Sequence, residues 1–369
     1  MLGERQALGG QVNCVLSLPF LPIERKPARD TVSRAGMRKG AVAVILPTVL
    51  RLVALSFIYF ITMKSTSRCL SCYLDDIAGA LDILDVPEKP RARVLKQSLL
   101  CIAETLAHKD PPSYTITALH RILKRTLGLA MPFADLRAAC LKAGMAIARG
   151  VEKKASSMSG LQRFRFLARW AVAANSLDFR TAGAGYGLTE SAVKKTLTGY
   201  FDTGLAVDQT ARIYAAARKA RSVVYIPDNV GELPFDKLLV VLISSFGAGV
   251  TVPMRGGPIT SDAVMADARA VSMDSAARVI LAGPDTLGIS FSEMSKPMNA
   301  ALASADLVVA KGQANYYVLS EFGNRYPAAT IACLFTAKCG LVWNVFGCTG
   351  KSSIAAIIQQ GSRARGGRA

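Results

Sequence analysis

Histidine is nearly missing from this chain: His108 and His120 are the only two in 369 residues. A metal site would therefore rest on oxygen ligands, which suits magnesium or manganese better than histidine-held zinc. Cysteine is also sparse. Eight at irregular spacings are too few for a disulfide scaffold in a chain this long, so a reduced, cytoplasmic setting is expected. Acidic residues run short, 26 against 45 Lys and Arg, which leaves a formal charge of +19 and favours anionic partners. Yet no long Lys/Arg run is interleaved with aromatics, and no zinc-finger, RNA-recognition or helix-turn-helix signature appears. The charge reads as a basic solvated surface, and no nucleic-acid partner is expected. What is present in quantity is apolar: 51% of residues, enough for one large domain or two ordinary ones.

Residues 1–40 mix Gly, Pro and Arg without periodicity. Residues 41–62 (AVAVILPTVLRLVALSFIYFIT) are almost wholly apolar and about as long as a membrane crossing. Pro47 interrupts the run, and Arg51 sits near its middle, where a charge costs roughly 2.5–3.5 kcal/mol. Met63-Lys64-Ser65 reads as a natural start. Residues 1–62 are thus expected to be an extension outside the functional domain; a single-pass anchor is the rival, and only then would a membrane be a partner.

Residues 63–220 read as a helical region. Apolar positions recur every three to four residues in DDIAGALDILDV, ARVLKQSLLCIAETLA and YTITALHRILKRTLGLA, punctuated by Pro87, Pro90, Pro111 and Pro112. From Ser222 short β-branched runs alternate with helical stretches: VVYIP, VTVPM, RVILAG, DLVVA and TIACLF each lead one except the last. Residues 221–358 therefore predict an α/β fold, a Rossmann-like, mostly parallel sheet with flanking helices, capped by the N-terminal helical region. Residues 359–369 are a Gly/Arg-rich tail, expected to be flexible.

In such sheets ligands bind beyond the carboxyl ends of the strands. VVYIP runs into Asp228, Asn229 and Glu232; VTVPM into Arg255 and, past GGPITS, Asp262. DLVVA runs into Lys311 and Asn315, and TIACLF into Lys338. Two carboxylates and an amide suit a divalent cation with positions left for water and phosphate, and a lysine can neutralise phosphoryl oxygens. Singly, Asp228-Asn229 is common turn chemistry, Asp262 a common helix cap and Lys311 a common solvated lysine. Their shared place at strand ends sets them apart.

DNVGE (228–232), GGPITSDA (256–263), KGQANY (311–316), ANSLDF (174–179) and the Cys69-x-x-Cys72 pair resemble, in order and spacing, the damage-control phosphatase family, long labelled domain of unknown function 89, in the subgroup with an N-terminal Cys pair. The likeness spans residues 63–358. It implies a divalent metal (Mn, Co, Ni or Mg) and hydrolysis of small phosphorylated metabolites, sugar phosphates or damaged forms, by attack of a metal-bound water. By motif, Asp228, Asn229 and Asp262 would hold the metal, and Lys311 would contact the phosphate. Asn175 and Asp178 would line the pocket and help place the metal-bound water, and Glu232 would support the site or handle protons. Asn315 and Arg255 join the substrate-binding set. The chain departs from the family pattern at Ser261, Ala314, Tyr317 and Arg255, where Asn, Gly, an acid and Lys are common.

Two other functions fit the sheet. One is a non-catalytic metal- or sugar-phosphate-binding protein. The other is an S-adenosylmethionine-dependent methyltransferase, which lacks a glycine loop after the first strand. Cys69 and Cys72 could be a redox pair, or half a zinc site if Cys101, Cys140 or His108 supplied two more ligands. The segment from Gly347 to Ser353 has too short a spacing for a phosphate-binding loop and reads as a surface turn. Gly183, Gly185 and Gly187 form a loose cluster without a fingerprint.

Overall fold

Proline sets the first helix boundaries as the sequence predicts. Pro87 precedes α2, Pro90 lies in its first turn, and Pro112 opens α3, where the missing N–H costs nothing. In the computed structural model, residues 63–108, 110–178, 189–320 and 325–361 are described. Residues 1–62 with the apolar stretch, the 183–187 glycine cluster and the end of the tail lie outside them. Among the described residues, no helix is long and apolar enough to cross a membrane.

The helical region comprises α1 (Cys69–Ile83), α2 (Glu88–His108), α3 (Pro112–Leu127), α4 (Ala134–Ala155), α5 (Gly160–Ala173), α6 (Glu190–Thr203) and α7 (Thr210–Lys219). α3 buries Leu119, Ile122 and Leu123 on one face and ends at Gly128, whose φ of 67° only glycine takes without strain. Each such fully buried aliphatic side chain contributes about 1.5–3 kcal/mol.

Among the described residues, seven strands form one sheet: β1 (Val207–Asp208), β2 (Ser222–Ile226), β3 (Gly249–Arg255), β4 (Arg278–Gly283), β5 (Leu307–Lys311), β6 (Thr330–Ala337) and β7 (Ser352–Gln359), in the order β1-β7-β6-β5-β2-β3-β4. All pairings are parallel except β6 with β7. Five strands match the predicted runs; β1 and β7 add to them. β1 comes from the helical region, and β7 begins inside the segment read as a surface turn. The helices α8 (Leu233–Ser244), α9 (Met265–Ala270), α10 (Lys296–Ser304), α11 (Gln313–Leu319) and α12 (Gly340–Val345) follow β2 to β6 in turn.

The period of two in the strands separates two cores. Val223 and Tyr225 of β2 face α4, α5 and α8, whereas Val224 and Ile226 face the α10–α11 side. A third cluster joins α1 to α4 and takes in Val230, two residues past Asp228. The helical region is thus packed directly against the turn that follows β2.

Candidate active site

The strand order places β2 inside the sheet, between β3 and β5 and parallel to both. Beyond β2 the chain passes Asp228 and enters a short 3-10 turn at Val230–Glu232. Asn229 caps that turn, and the Glu232 carboxylate reaches back to the Asn229 N–H at 3.4 Å. Beyond β3, the loop from Gly256 to Asp262 returns along the same path. Val230 N–H donates to Ser261 O at 2.7 Å and Ala263 N–H to Asp228 O at 2.8 Å, so Asn229 and Asp262 form an antiparallel bridge. Backbone bonding therefore brings the two predicted carboxylates together. Asp262 is not a helix cap: α9 starts only at Met265, capped at Val264.

Two residues missed from sequence hold this arrangement from the helical side. Arg137 of α4, buried to 3% exposure, donates to Thr260 O at 2.9 Å and Asp262 O at 2.8 Å, and to Asp267 at 2.6 Å. Gly144, one α4 face further along, must be glycine, because a Cβ there would stand 2.3 Å from Gly231 O. Neither is visible from spacing, since both act across more than a hundred residues or on a backbone atom.

Asn175 lies in the 3-10 turn after α5, fully buried. Its Nδ2 donates to Asp228 Oδ2 at 3.0 Å and Glu232 Oε1 at 2.7 Å, and its Oδ1 accepts the Thr336 N–H at 3.0 Å. Asn229 Nδ2 donates to the same two carboxylates, at 3.1 and 2.7 Å. The amide nitrogens thus face inward and Asn229 Oδ1 faces Ser261, 2.6 Å from its Oγ. Ser261 Oγ is also 2.8 Å from Asp178 Oδ1, and one hydroxyl has one proton to give. Asp178 in turn accepts from Lys338 Nζ at 3.0 Å.

Arg255 is nearly enclosed, at 2% exposure. It donates to Thr286 O, Pro227 O and Asp228 O at 3.0–3.2 Å, with Nε 3.3 Å from Asp262 Oδ1 and Nη2 3.8 Å from Asp228 Oδ1. The motif predicts substrate contact; the guanidinium instead braces the two carboxylates from within. Asn315 is likewise a brace, donating to Pro227 O and Lys311 O and accepting from Ile289 N–H.

Lys311 differs most from expectation. Predicted on the phosphate, its ammonium lies at 0% exposure on Glu232 and Asp236, the latter at 2.9 Å. Burial works against its charge, but Asp236 and Glu232 outweigh it and hold the ammonium well above the usual lysine range. Asp236, also bound by Tyr225 Oη at 2.7 Å, is pushed up to about 6 chiefly by burial. A lysine ending a strand can point either way, and a one-residue change of register inverts it.

Lys338, at the end of β6, is the cation that remains partly open, with 26% side-chain exposure beside 15% for Asp178. Burial opposes its charge; Asp178 and then Asp228 raise it nonetheless. Asp228 itself is pushed up to about 7, first by burial and then by Glu232.

A divalent cation fits these residues. Among the described residues Asp262 Oδ1 accepts no hydrogen bond and faces Arg255 Nε at 3.3 Å, and Asn229 Oδ1 accepts from the Ser261 hydroxyl that Asp178 shares. Five carboxylates (Asp178, Asp228, Glu232, Asp236, Asp262) share three cations (Arg255, Lys311, Lys338), and the upward push on Asp228 reflects burial first and then that crowding of acids. Gly312, at φ 77°, lets the backbone close on the Asp228 carboxylate, since a Cβ there would fall 1.9 Å from Oδ2. Among the described residues no group of three or more His, Cys, Asp or Glu is set to hold a metal; the predicted set has two carboxylates and an amide.

Residues 65–353 match the model of the damage-control phosphatase ARMT1-like domain. The chain belongs to this family. A damage-control phosphatase of Archaeoglobus fulgidus is 30% identical over 300 residues, covering 80% of this chain and 100% of the relative. A second, from Pyrococcus horikoshii, is 26% identical over 283 residues, 76% of this chain and 93% of the relative. The crystal structure of a DUF89 family protein from Pyrococcus horikoshii superposes with a TM-score of 0.71 at 21% identity, over 80% of this chain and all of the other. The family fold, a mostly parallel sheet with flanking helices, is the fold found here. The extent of the match makes the β2–β3 connection part of the shared domain and not an appendage to it.

Proposed function

We propose that this protein is a metal-dependent phosphatase acting on a small phosphorylated metabolite. Family membership supports the reaction class. The observation that supports the metal is the set of Asp228, Asn229 Oδ1 and Asp262 Oδ1, in which the Asp262 oxygen is buried, accepts no hydrogen bond among the described residues and is opposed by Arg255 at 3.3 Å. Asp228, Asn229 and Asp262 would hold the ion. When bound, such a cation supplies the charge that polarises a phosphoryl oxygen and activates water for attack.

The chain's own residues do the rest. Asn175, Asn229 and Glu232 fix the Asp228 carboxylate, and Arg255 keeps Asp228 and Asp262 from repelling one another apart. Lys338 Nζ neutralises the phosphoryl oxygens as negative charge builds on them. Asp178, freed from Lys338 by the arriving phosphate, takes a proton at Oδ2 from the attacking water. Lys311 and Glu232 stay below, setting the field in which this happens. Access beside Asp178 and Lys338, among otherwise buried groups, favours a small substrate over a polymer.

The test is hydrolysis of p-nitrophenyl phosphate and a panel of sugar phosphates with added Mn, Co, Ni or Mg, against a chelator control and Asp228→Ala. Phosphate release that needs the metal and falls at least 10²-fold in the variant is expected. A rate that survives both chelation and Asp228→Ala would sink the assignment. Tight phosphate binding without release would turn it to the non-catalytic reading.

A further inference from the structure

A side chain with a polar acceptor and a polar donor can fix two neighbouring strand ends against each other, and Gln313 does so between β5 and β6. It follows Gly312 and is the first residue of α11. Its Oε1 accepts the Lys338 N–H at 2.7 Å, across 25 positions of sequence. Its Nε2 donates to Tyr317 Oη, one turn along α11, and stands 3.8 Å from the Sγ of Cys339, which caps α12. The β5–β6 ladder ends at Lys311 and Leu334, and the β6–β7 ladder ends at Ala337 and Ser352. Lys338 lies just past the last pair of each, so the Gln313 amide takes over where the sheet stops holding the chain.

The residue before Gln313 touches the other half of the site. Gly312 brings its backbone so close to the Asp228 carboxylate that a Cβ would stand 1.9 Å from Oδ2. Adjacent residues thus contact the carboxylate assigned to the metal and the seat of the lysine assigned to phosphate, whose Nζ reaches Asp178 at 3.0 Å. The planar peptide between them holds their Cα atoms about 3.8 Å apart. A phosphate that meets a cation and an ammonium together needs the two at a set separation, and an error of about 1 Å can cost on the order of 10²-fold in rate.

We propose that Gln313 is a positioning residue that sets the Lys338 ammonium at a fixed distance from the Asp228 end of the site, so that one phosphate meets both. The proposal rests on the reading of Lys338 as the phosphate-neutralising group. Gln313 acts through the lysine and touches no reacting atom. A glutamine that merely tied two strand ends together would matter equally whether or not residue 338 carried a charge, and its loss would weaken the metal site along with the rest. A positioning glutamine matters only while the lysine is there to be positioned.

The experiment is a double-mutant cycle on the binding of inorganic phosphate, measured by calorimetry on full-length protein supplied with manganese. Gln313→Met keeps the length of the side chain and removes both polar ends. Its phosphate affinity is expected to fall about three- to tenfold, the worth of one hydrogen bond. Manganese binding, measured separately, should stay within about twofold, since Gly312 still meets Asp228. In a Lys338→Met background the same change at Gln313 should leave phosphate affinity as it finds it. Gln313→Asn, which shortens the arm by one methylene, takes its place if Gln313→Met does not fold. Equal losses in both backgrounds, a parallel loss of manganese affinity, or a loss in Lys338→Met with none in Gln313→Met each overturns the proposal alone. A wild-type protein that binds no phosphate, or a Lys338→Met variant that binds it as well, removes the reading beneath it and the proposal together.

Discussion

Lys311 and Glu232 form an ion pair at zero side-chain exposure directly under the Asp228–Asn229 turn, and Glu232 accepts in addition from both Asn175 and Asn229. The pair links the end of β5 to the connection after β2. It makes one of the two lysines near the site a part of the foundation and leaves the other for the surface of the pocket.

The two lysines should separate cleanly by mutation. Lys311→Met strands Glu232 and Asp236 without a counter-charge and is expected to cost about 3–5 kcal/mol in urea unfolding. Lys338→Met, at a partly exposed pair, should change stability by less than about 1 kcal/mol but lower kcat roughly 10²–10³-fold. A Lys338 variant with full activity would remove it from the mechanism.

Metal binding should appear as stability. Manganese at about 100 times its Kd is expected to add about 2.7 kcal/mol. The gain should vanish in Asp262→Asn, which removes the charge of a buried carboxylate assigned to the ion. An equal rise in Tm for both proteins would place the cation elsewhere.

Gly312→Ala tests the close approach at Asp228. Its backbone angles, φ 77° and ψ 154°, cost a side chain on the order of 1–3 kcal/mol. The added Cβ would also overlap Asp228 Oδ2 at 1.9 Å. Activity should drop on the order of 10²-fold. Gly128→Ala is the control: its φ of 67° carries a similar backbone penalty with nothing within 4 Å, so stability falls while kcat holds.

Acid should loosen the tie between the helical region and the sheet. Asp285 accepts from Lys124 at 2.6 Å and Arg121 at 3.0 Å. Burial alone would raise its carboxyl, but Lys124 and then Arg121 prevail and hold it below the usual range. A depressed carboxyl stabilises the fold fully above its unfolded pKa of about 3.9 and loses that contribution as pH falls through the folded value. Asp285→Asn is therefore expected to cost about 1–2 kcal/mol at pH 7, with the gap to wild type closing below about pH 4. Urea midpoints across pH 3–7 measure it; a gap undiminished at pH 3 would contradict the coupling.

How much of this was legible before the structure follows from what each residue does. Asp228, Asn229 and Asp262 announce themselves because β2 and β3 are buried apolar runs that stop abruptly at polar residues. The parallel order then brings those stops together. β7 escapes because SSIAAIIQ follows a glycine-rich turn and returns antiparallel, outside the strand–helix rhythm. Lys311 and Lys338 both end strands, and sequence periodicity does not say which one points inward. Arg137 and Gly144 are helical residues whose partners are carbonyl oxygens, and a carbonyl leaves no trace in a sequence.

Thr336 N–H, near the end of β6, donates to Asn175 Oδ1, a residue 161 positions away, instead of continuing the ladder toward β5. Its deuterium uptake is consequently gated by Asn175, which also grips Asp228 and Glu232. That single amide, observed by hydrogen exchange, reports the opening of the Asp228 end of the sheet separately from the unzipping of the strands.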